Sequence, residues 1–261
     1  MKRLFVLSIL ATAGLAACSE APTNNTEVPQ TPDFILYGQP DGNAHPYVGF
    51  LIFFVDGEPA WLCTGSALDE NTVLTAGHCT SGATSARFYQ TEKPFDGLGS
   101  ILTRGIVGTP ITYPTFGASF PDRTDIGVVQ LTGGLATAPF AELPELNSLD
   151  LLSKHQLFDI VGYGVEDVRP IEVFNGERKN AQVKLVNAKS GYSGGFNLHV
   201  SSNNGKPHRG GLCFGDSGGP VLDGNVIYGV NSFVINSNCA GSGYSYRVDI
   251  DPVRQWIVDQ L

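Results

Sequence analysis

Gly215-Asp216-Ser217-Gly218-Gly219-Pro220 is the stretch that decides how this chain reads. Six specified residues, at about one in 20 each, recur by chance less than once in ~10^7 positions. A serine hydroxyl is a poor nucleophile until a base takes its proton, and histidine is the side chain suited to that near neutral pH. Two earlier segments offer partners. Leu74-Thr75-Ala76-Gly77-His78-Cys79 ends an apolar run on a His beside a Cys, and Asp125-Ile126-Gly127-Val128-Val129-Gln130-Leu131 opens one on an acid. A buried Asp would fix the His tautomer and stabilise the imidazolium that forms. Glycines around Ser217 let backbone approach a substrate closely. The N–H groups of Gly215 and Ser217 can then face a developing oxyanion, each donor contributing about 3 kcal/mol.

Other assignments narrow quickly. The chain has five His: His45, His78, His155, His199 and His208. Only His78 lies in such a segment. Asp125 could simply cap a strand, and Asp122 is its nearby rival. Gly215-x-Ser217-x-Gly219 also fits the nucleophile elbow of α/β-hydrolases, but that fold needs its His after the Ser, and every His here precedes Ser217. No His-Glu-x-x-His or paired Cys-x-x-Cys is present, so no metal or other cofactor is expected.

In their order His, Asp, Ser, the three segments resemble the signatures of the trypsin/chymotrypsin-like serine proteases, over roughly Ile35 to Leu261. The resemblance implies an all-β fold of two six-stranded Greek-key β-barrels with a short C-terminal helix. It implies a serine endopeptidase in which Ser217 attacks, His78 shuttles the proton and Asp125 orients His78, with an oxyanion hole at Gly215 and Ser217. Asp216 is then the partner of a new N-terminus formed on activation. The same template pairs Cys63 with Cys79 and Cys213 with Cys239, for roughly 3 kcal/mol each if unstrained. Other pairings are formally possible.

The rest of the chain is strand-like. Val48 to Val55 is a continuous apolar run closed by Asp56-Gly57. Shorter runs follow at Ser66 to Leu68, Thr72 to Ala76, Arg87 to Tyr89, Gly105 to Gly108 and Ile126 to Leu131. A second series starts near Gln156 and includes Phe158 to Gly162, Ala181 to Val186, Pro220 to Leu222, Val226 to Val230 and Tyr244 to Val248. With 32 Gly and 16 Pro to make turns, this pattern indicates a sandwich or barrel. Only the end reads as helix, with Asp251 as N-cap, Pro252 at the first helical position, and Val253, Trp256, Ile257 and Leu261 on one face. The first barrel is expected over about residues 35–140, the second over about 150–250 and the helix over about 252–261.

The N-terminus is a targeting segment. Lys2 and Arg3 precede an apolar stretch, Leu4 to Ala17, that is too short to span a bilayer comfortably, so residues 1–17 read as a signal peptide. Leu15-Ala16-Ala17-Cys18 resembles the lipobox of bacterial lipoproteins, which implies lipid on Cys18. Ser19 after it resembles lipoproteins sent to the outer membrane. An ordinary signal peptide is the alternative. Of five Cys, lipidation of Cys18 leaves an even four to pair. Residues 18–34 read as a tether or propeptide. The net charge is -9 with no basic run, which argues against nucleic acid as a partner. The expected partners are protein or peptide substrates and a membrane reached through lipid, for a monomer exported to the periplasmic or surface face.

By the same resemblance the pocket floor is Gly211, which carries no charge to attract Lys or Arg. Leu212 forms a wall and Phe214 flanks the mouth, while Ser232, Phe233 and Val234 form the substrate-binding strand. Leu212 and Val234 narrow the pocket, which implies an elastase-like preference for small or medium aliphatic residues, with a chymotrypsin-like aromatic preference as the alternative. Ile35-Leu36-Tyr37-Gly38 resembles the mature N-terminus of the family, so cleavage after Phe34 would free an ammonium on Ile35 to pair with Asp216. A non-catalytic binding lipoprotein on the same fold is the competing class.

Overall fold

In the computed structural model, Val48–Val55 is buried along nearly its whole length, because one face points into a barrel and the other lies beneath neighbouring elements. The structure describes residues 35, 38–97, 99–117, 124–132, 134–165, 174–202 and 210–261. The signal segment, Cys18, the tether, Asp122 and His208 fall outside the described residues.

A two-residue strand, β1 (Gln39–Pro40), precedes the first barrel. That barrel comprises β2 (Val48–Val55), β3 (Glu58–Ala67), β4 (Thr72–Thr75), β5 (Ser85–Tyr89), β6 (Ile106–Thr112) and β7 (Gly127–Leu131), closed in the order β2-β3-β4-β7-β6-β5. Asp56 and Gly57 both take positive φ (51° and 89°), the geometry of a tight hairpin whose twist matches its strands. The second barrel comprises β8 (Leu157–Gly162), β9 (Lys179–Asn187), β10 (Asn197–Ser202), β11 (Pro220–Asp223), β12 (Val226–Val234) and β13 (Gly241–Arg247). Its order is β9-β10-β13-β12-β11-β8, and β8 pairs back onto β9. All these ladders are antiparallel, so the expected pair of six-stranded barrels is the architecture observed.

Three boundaries differ from expectation. The strands of the first barrel begin at Val48 rather than near residue 35: Gln39 and Pro40 pair with Asn180 and Lys179 of the second barrel, and Ile35 is buried in that barrel's core with Phe158, Val183 and Leu198. β3 runs from Glu58, beyond the expected 66–68, because its largely exposed first half, Glu58 to Leu62, pairs with the end of β2 and extends the hairpin. β10 has no counterpart in the sequence reading, since Asn197 and Ser202 are buried polar residues that break the apolar alternation.

The C-terminal helix, α2 (Val253–Val258), has Pro252 at its N-cap without a side-chain capping bond, one residue later than expected. It buries Val253 and Ile257 in the core of the first barrel, while Leu261 is left 56% exposed. The Gln260 carbonyl accepts from Thr72 Oγ1 (3.1 Å) and Gln130 Nε2 (2.7 Å). The two chain ends are thus exchanged, the N-terminal strand on the second barrel and the C-terminal helix on the first.

A buried ion pair secures the N-terminal strap. Arg178 Nε donates to Asp41 Oδ2 at 2.8 Å, and both side chains are fully buried. Arg178 also donates to the Val48 carbonyl (2.8 Å) and Asn43 Oδ1 (2.9 Å), and Asp41 is further bonded to His45 Nδ1 (2.6 Å) and Asn180 Nδ2 (3.0 Å). Burial alone would raise the Asp41 carboxyl, but its bonds to His45 and Asn180 outweigh that and hold it below the usual range. Asp41→Ala strands a guanidinium in the interior and should cost about 3–5 kcal/mol in urea unfolding. Asp41→Leu combined with Arg178→Met should lose clearly less than the single variant.

Candidate active site

β4 pairs with β7 so that Thr75 lies opposite Gly127. Continued past the strand ends, that register brings the segment around His78 against Asp125. His78 lies in the single turn α1 (Gly77–Thr80), and its neighbour Cys79 is disulfide-bonded to Cys63 of β3. Asp125 Oδ1 accepts from the His78 backbone N–H at 2.7 Å, and Oδ2 faces His78 Nδ1 at 2.8 Å. From the second barrel, Ser232 Oγ donates to the same Oδ2 at 2.5 Å. Burial pushes the Asp125 carboxyl up, yet the His78 ring, the Ser232 hydroxyl and the His78 amide together hold it below its ordinary value. A carboxylate at Nδ1 assigns the ring proton there and leaves Nε2 as the basic nitrogen on the more exposed side.

Ser217 sits on the seam between the barrels. Its carbonyl accepts from Thr64 N–H of β3 at 2.8 Å, and Gly218 N–H donates to the Asn231 carbonyl of β12 at 2.8 Å. Ser217 Oγ and His78 share no hydrogen bond here; such contacts often tighten only when substrate binds. Val165 N–H holds the Phe214 carbonyl at 2.7 Å. A trans peptide points its N–H opposite its C=O, so this bond turns the Gly215 N–H away from Val165. Gly215 has φ 92°, and a Cβ there would meet Gly164 Cα at 2.8 Å. Among the described residues, the N–H groups of Asp216, Gly218 and Gly219 all find acceptors, whereas those of Gly215 and Ser217 find none. Two unspent donors beside a hydroxyl form a site for developing negative charge.

Asp216 is fully buried and accepts from Gly164 N–H and Cys213 N–H, both at 2.9 Å. Burial dominates these two bonds and pushes its carboxyl up to about 7. Among the described residues no cationic side chain is paired with it.

A cavity of about 170 Å³ opens beside Ser217, lined chiefly by Leu212, Phe214, Asn231, Ser232, Phe233 and Val234. Apart from the buried Asp216, no charged residue among the described residues lines it. Leu212 packs against Gly243 of β13, where a Cβ would meet it at 2.6 Å. Gly211 does not line this cavity; it is buried against Ser202. The Cys213–Cys239 disulfide closes the adjoining rim. Phe233 stacks on Tyr244 with centroids 4.8 Å apart, and Tyr192, 59% exposed, lies beside both. On the other side of Gly215, a more open apolar hollow of about 330 Å³ is lined by Leu62, Val165, Phe174 and Phe214. Asn231 lies in the strand Val230 to Val234 that the resemblance marks, whereas no sequence pattern marks Thr64, Val165, Phe174 or Tyr192, which arrive from elements remote in the chain. Cys63 and Cys79 cluster with His78, but their two sulfurs are bonded to each other.

The family model for trypsin matches residues 38–257. The chain belongs to the trypsin family. It is 24% identical to trypsin theta of Drosophila erecta, over 99% of this chain and 98% of that protein. It is 25% identical to a chymotrypsin of Phaedon cochleariae, over 81% and 77%. Among solved structures, HL collagenase superposes with a TM-score of 0.68 at 21% identity, covering 85% of this chain and 96% of that one. Human heparin binding protein superposes with a TM-score of 0.63 at 17% identity, over 87% and 96%. These likenesses agree with the two barrels described above, and the disulfides of this trypsin-family chain match an exported, oxidising environment.

The buried carboxyls set opposite pH trends. Asp41 and Asp125 are lowered, so their contribution is present above the ordinary carboxyl range and is lost as pH falls through their folded values. Asp216 is raised from 3.8 to about 7, so the folded state holds a proton that the unfolded chain releases. Its contribution is full below pH 3.8 and declines as pH rises to about 7. Chemical unfolding of the full chain should therefore show stability falling between about pH 4 and pH 7. Asp216→Asn should flatten that decline.

Proposed function

We propose that this chain is a serine endopeptidase hydrolysing protein or peptide substrates. The observation that carries the reading is the Asp125–His78 pair beside a serine whose turn leaves the Gly215 and Ser217 N–H groups unspent. Ser217 Oγ attacks the scissile carbonyl as His78 Nε2 takes its proton, and the carbonyl oxygen becomes an anion held by the two N–H groups. Collapse expels the amine, which receives the proton from His78 and leaves an acyl group on Ser217. Water, deprotonated by His78, then releases the acid. Asp125 stays ionised throughout and stabilises the imidazolium.

The neutral, narrowed pocket between Leu212 and Val234 supports small or medium aliphatic residues before the scissile bond, with larger aromatic residues as the alternative. Cleavage after Phe34 would supply an Ile35 ammonium for Asp216, a buried carboxyl with no cation among the described residues, and so stabilise the turn that carries Ser217. The sequence Leu15-Ala16-Ala17-Cys18 supports lipidation of Cys18 after removal of residues 1–17, and tethering to a bacterial outer membrane.

A fluorophosphonate probe should label the active wild-type protein at Ser217, and Ser217→Ala should abolish labelling and lower kcat by at least about 10^4-fold. Absence of wild-type labelling would favour a binding protein built on the same fold. Profiling a peptide library should give cleavage after Ala, Val or Leu, whereas cleavage after Lys or Arg would overturn the pocket assignment. N-terminal sequencing of active protein should begin at Ile35; a start at Cys18 would remove the activation step. Detergent-phase partitioning that Cys18→Ser abolishes would support the lipid.

A further inference from the structure

We propose that Thr64 is a positioning residue for the oxyanion site, its hydroxyl reaching from the first barrel to clamp the Gly215 carbonyl of the second. The inference rests on the serine protease reading above. Thr64 is completely buried on β3, and every polar atom it has is committed to the seam. Its N–H donates to the Ser217 carbonyl at 2.8 Å. Its Oγ1 donates to the Gly215 carbonyl at 3.0 Å and accepts from the Tyr163 N–H at 3.2 Å. Its own carbonyl accepts from Thr75 Oγ1 at 2.8 Å.

The direction of the bridge is forced. A carbonyl can only accept and an amide N–H can only donate, so the single hydroxyl proton goes to Gly215 and a lone pair faces Tyr163. Thr64 therefore grips the turn on both sides of Asp216, at the carbonyl before it and the carbonyl after it.

That grip matters because Gly215 joins the two peptides on which the turn's approach to Ser217 depends. With no Cβ and φ 92°, it places little steric restriction on its flanking peptides. Val165 N–H holds the peptide before it, and Thr64 Oγ1 holds the peptide after it. The first of these bonds orients the peptide that carries the Gly215 N–H, and the second braces the peptide that leads to the Asp216–Ser217 linkage, whose carbonyl Gly219 N–H holds. Of the two, only the Thr64 bond comes from a side chain and can be removed by substitution. The link to Thr75, three residues before His78, ties the same clamp to the strand that leads into the turn bearing the base.

Thr64→Val keeps the branched shape and removes the hydroxyl, leaving the Gly215 carbonyl and Tyr163 N–H without a partner in the interior. Thr64→Ser keeps the hydroxyl. Both would be measured in the full activated protein for kcat, KM, melting temperature and affinity for a peptide aldehyde, whose hemiacetal oxygen occupies the oxyanion site. Thr64→Val should lower kcat about 10- to 100-fold with KM nearly unchanged, and weaken the aldehyde in parallel. Thr64→Ser should retain most of both. Unchanged kcat in Thr64→Val, or an equal loss in Thr64→Ser, would overturn the assignment, as would a loss confined to KM or to melting temperature. Should Thr64→Val not fold, Thr64→Ala measured against Thr64→Ser takes its place. Fluorophosphonate titration of the wild type comes first: an unlabelled wild type removes the protease reading and the clamp with it, while a labelled wild type with an indifferent Thr64→Val removes the clamp alone.

Discussion

A carboxylate withdrawn from water must be repaid in hydrogen bonds, and at Asp125 the donors come from both halves of the molecule. His78 supplies two from the first barrel and Ser232 supplies one from the second. Satisfying this one side chain therefore aligns α1, the start of β7 and β12 at a single point. The relative placement of the barrels and the orientation of the His78 ring are consequences of the same requirement. The Cys63–Cys79 disulfide adds a covalent restraint one residue from His78.

The three buried aspartates show how differently a fold can treat one chemical group. Asp41 is neutralised by a guanidinium and serves the scaffold. Asp125 keeps its charge through hydrogen bonds to a histidine and a hydroxyl, and so can influence a proton in transit. Asp216 has two backbone donors and no cation, and its carboxyl rises until it is half-neutral near pH 7. The first is a rivet, the second an orienting charge, and the third a position whose charge is unbalanced within the described chain.

The parts of the site that lie in short contiguous patterns were legible from the residues alone. Ser217 with its glycines, His78 beside Cys79, and Asp125 ahead of an apolar run are each local signals, and the overall resemblance carried the two-barrel fold. What escaped was everything made by register. Thr64 and Gly215 are 151 residues apart, and nothing around Thr64 hints at the contact. Gln39–Pro40 is too short to show a period, so its place on the second barrel follows from the buried Asp41–Arg178 pair rather than from its own sequence. Pocket geometry was only partly legible: Leu212 and Val234 face the cavity, while Gly211 lies behind it because the wall is formed by side chains that its neighbours contribute.

The exchange of chain ends bears on how such a molecule comes into being. The first barrel has its strands complete by Leu131, yet the helix that covers it follows all the strands of the second barrel in the sequence. The second barrel, in turn, is joined by β1, which precedes all the strands of the first barrel. Contacts of such long range close slowly and late. A nascent or truncated chain thus lacks the cover of one barrel and cannot settle the seam on which the serine sits. The placement of β1 and α2 each on the opposite barrel makes the presence of the whole stretch from β1 to α2 a precondition for a finished site, a form of quality control written into topology.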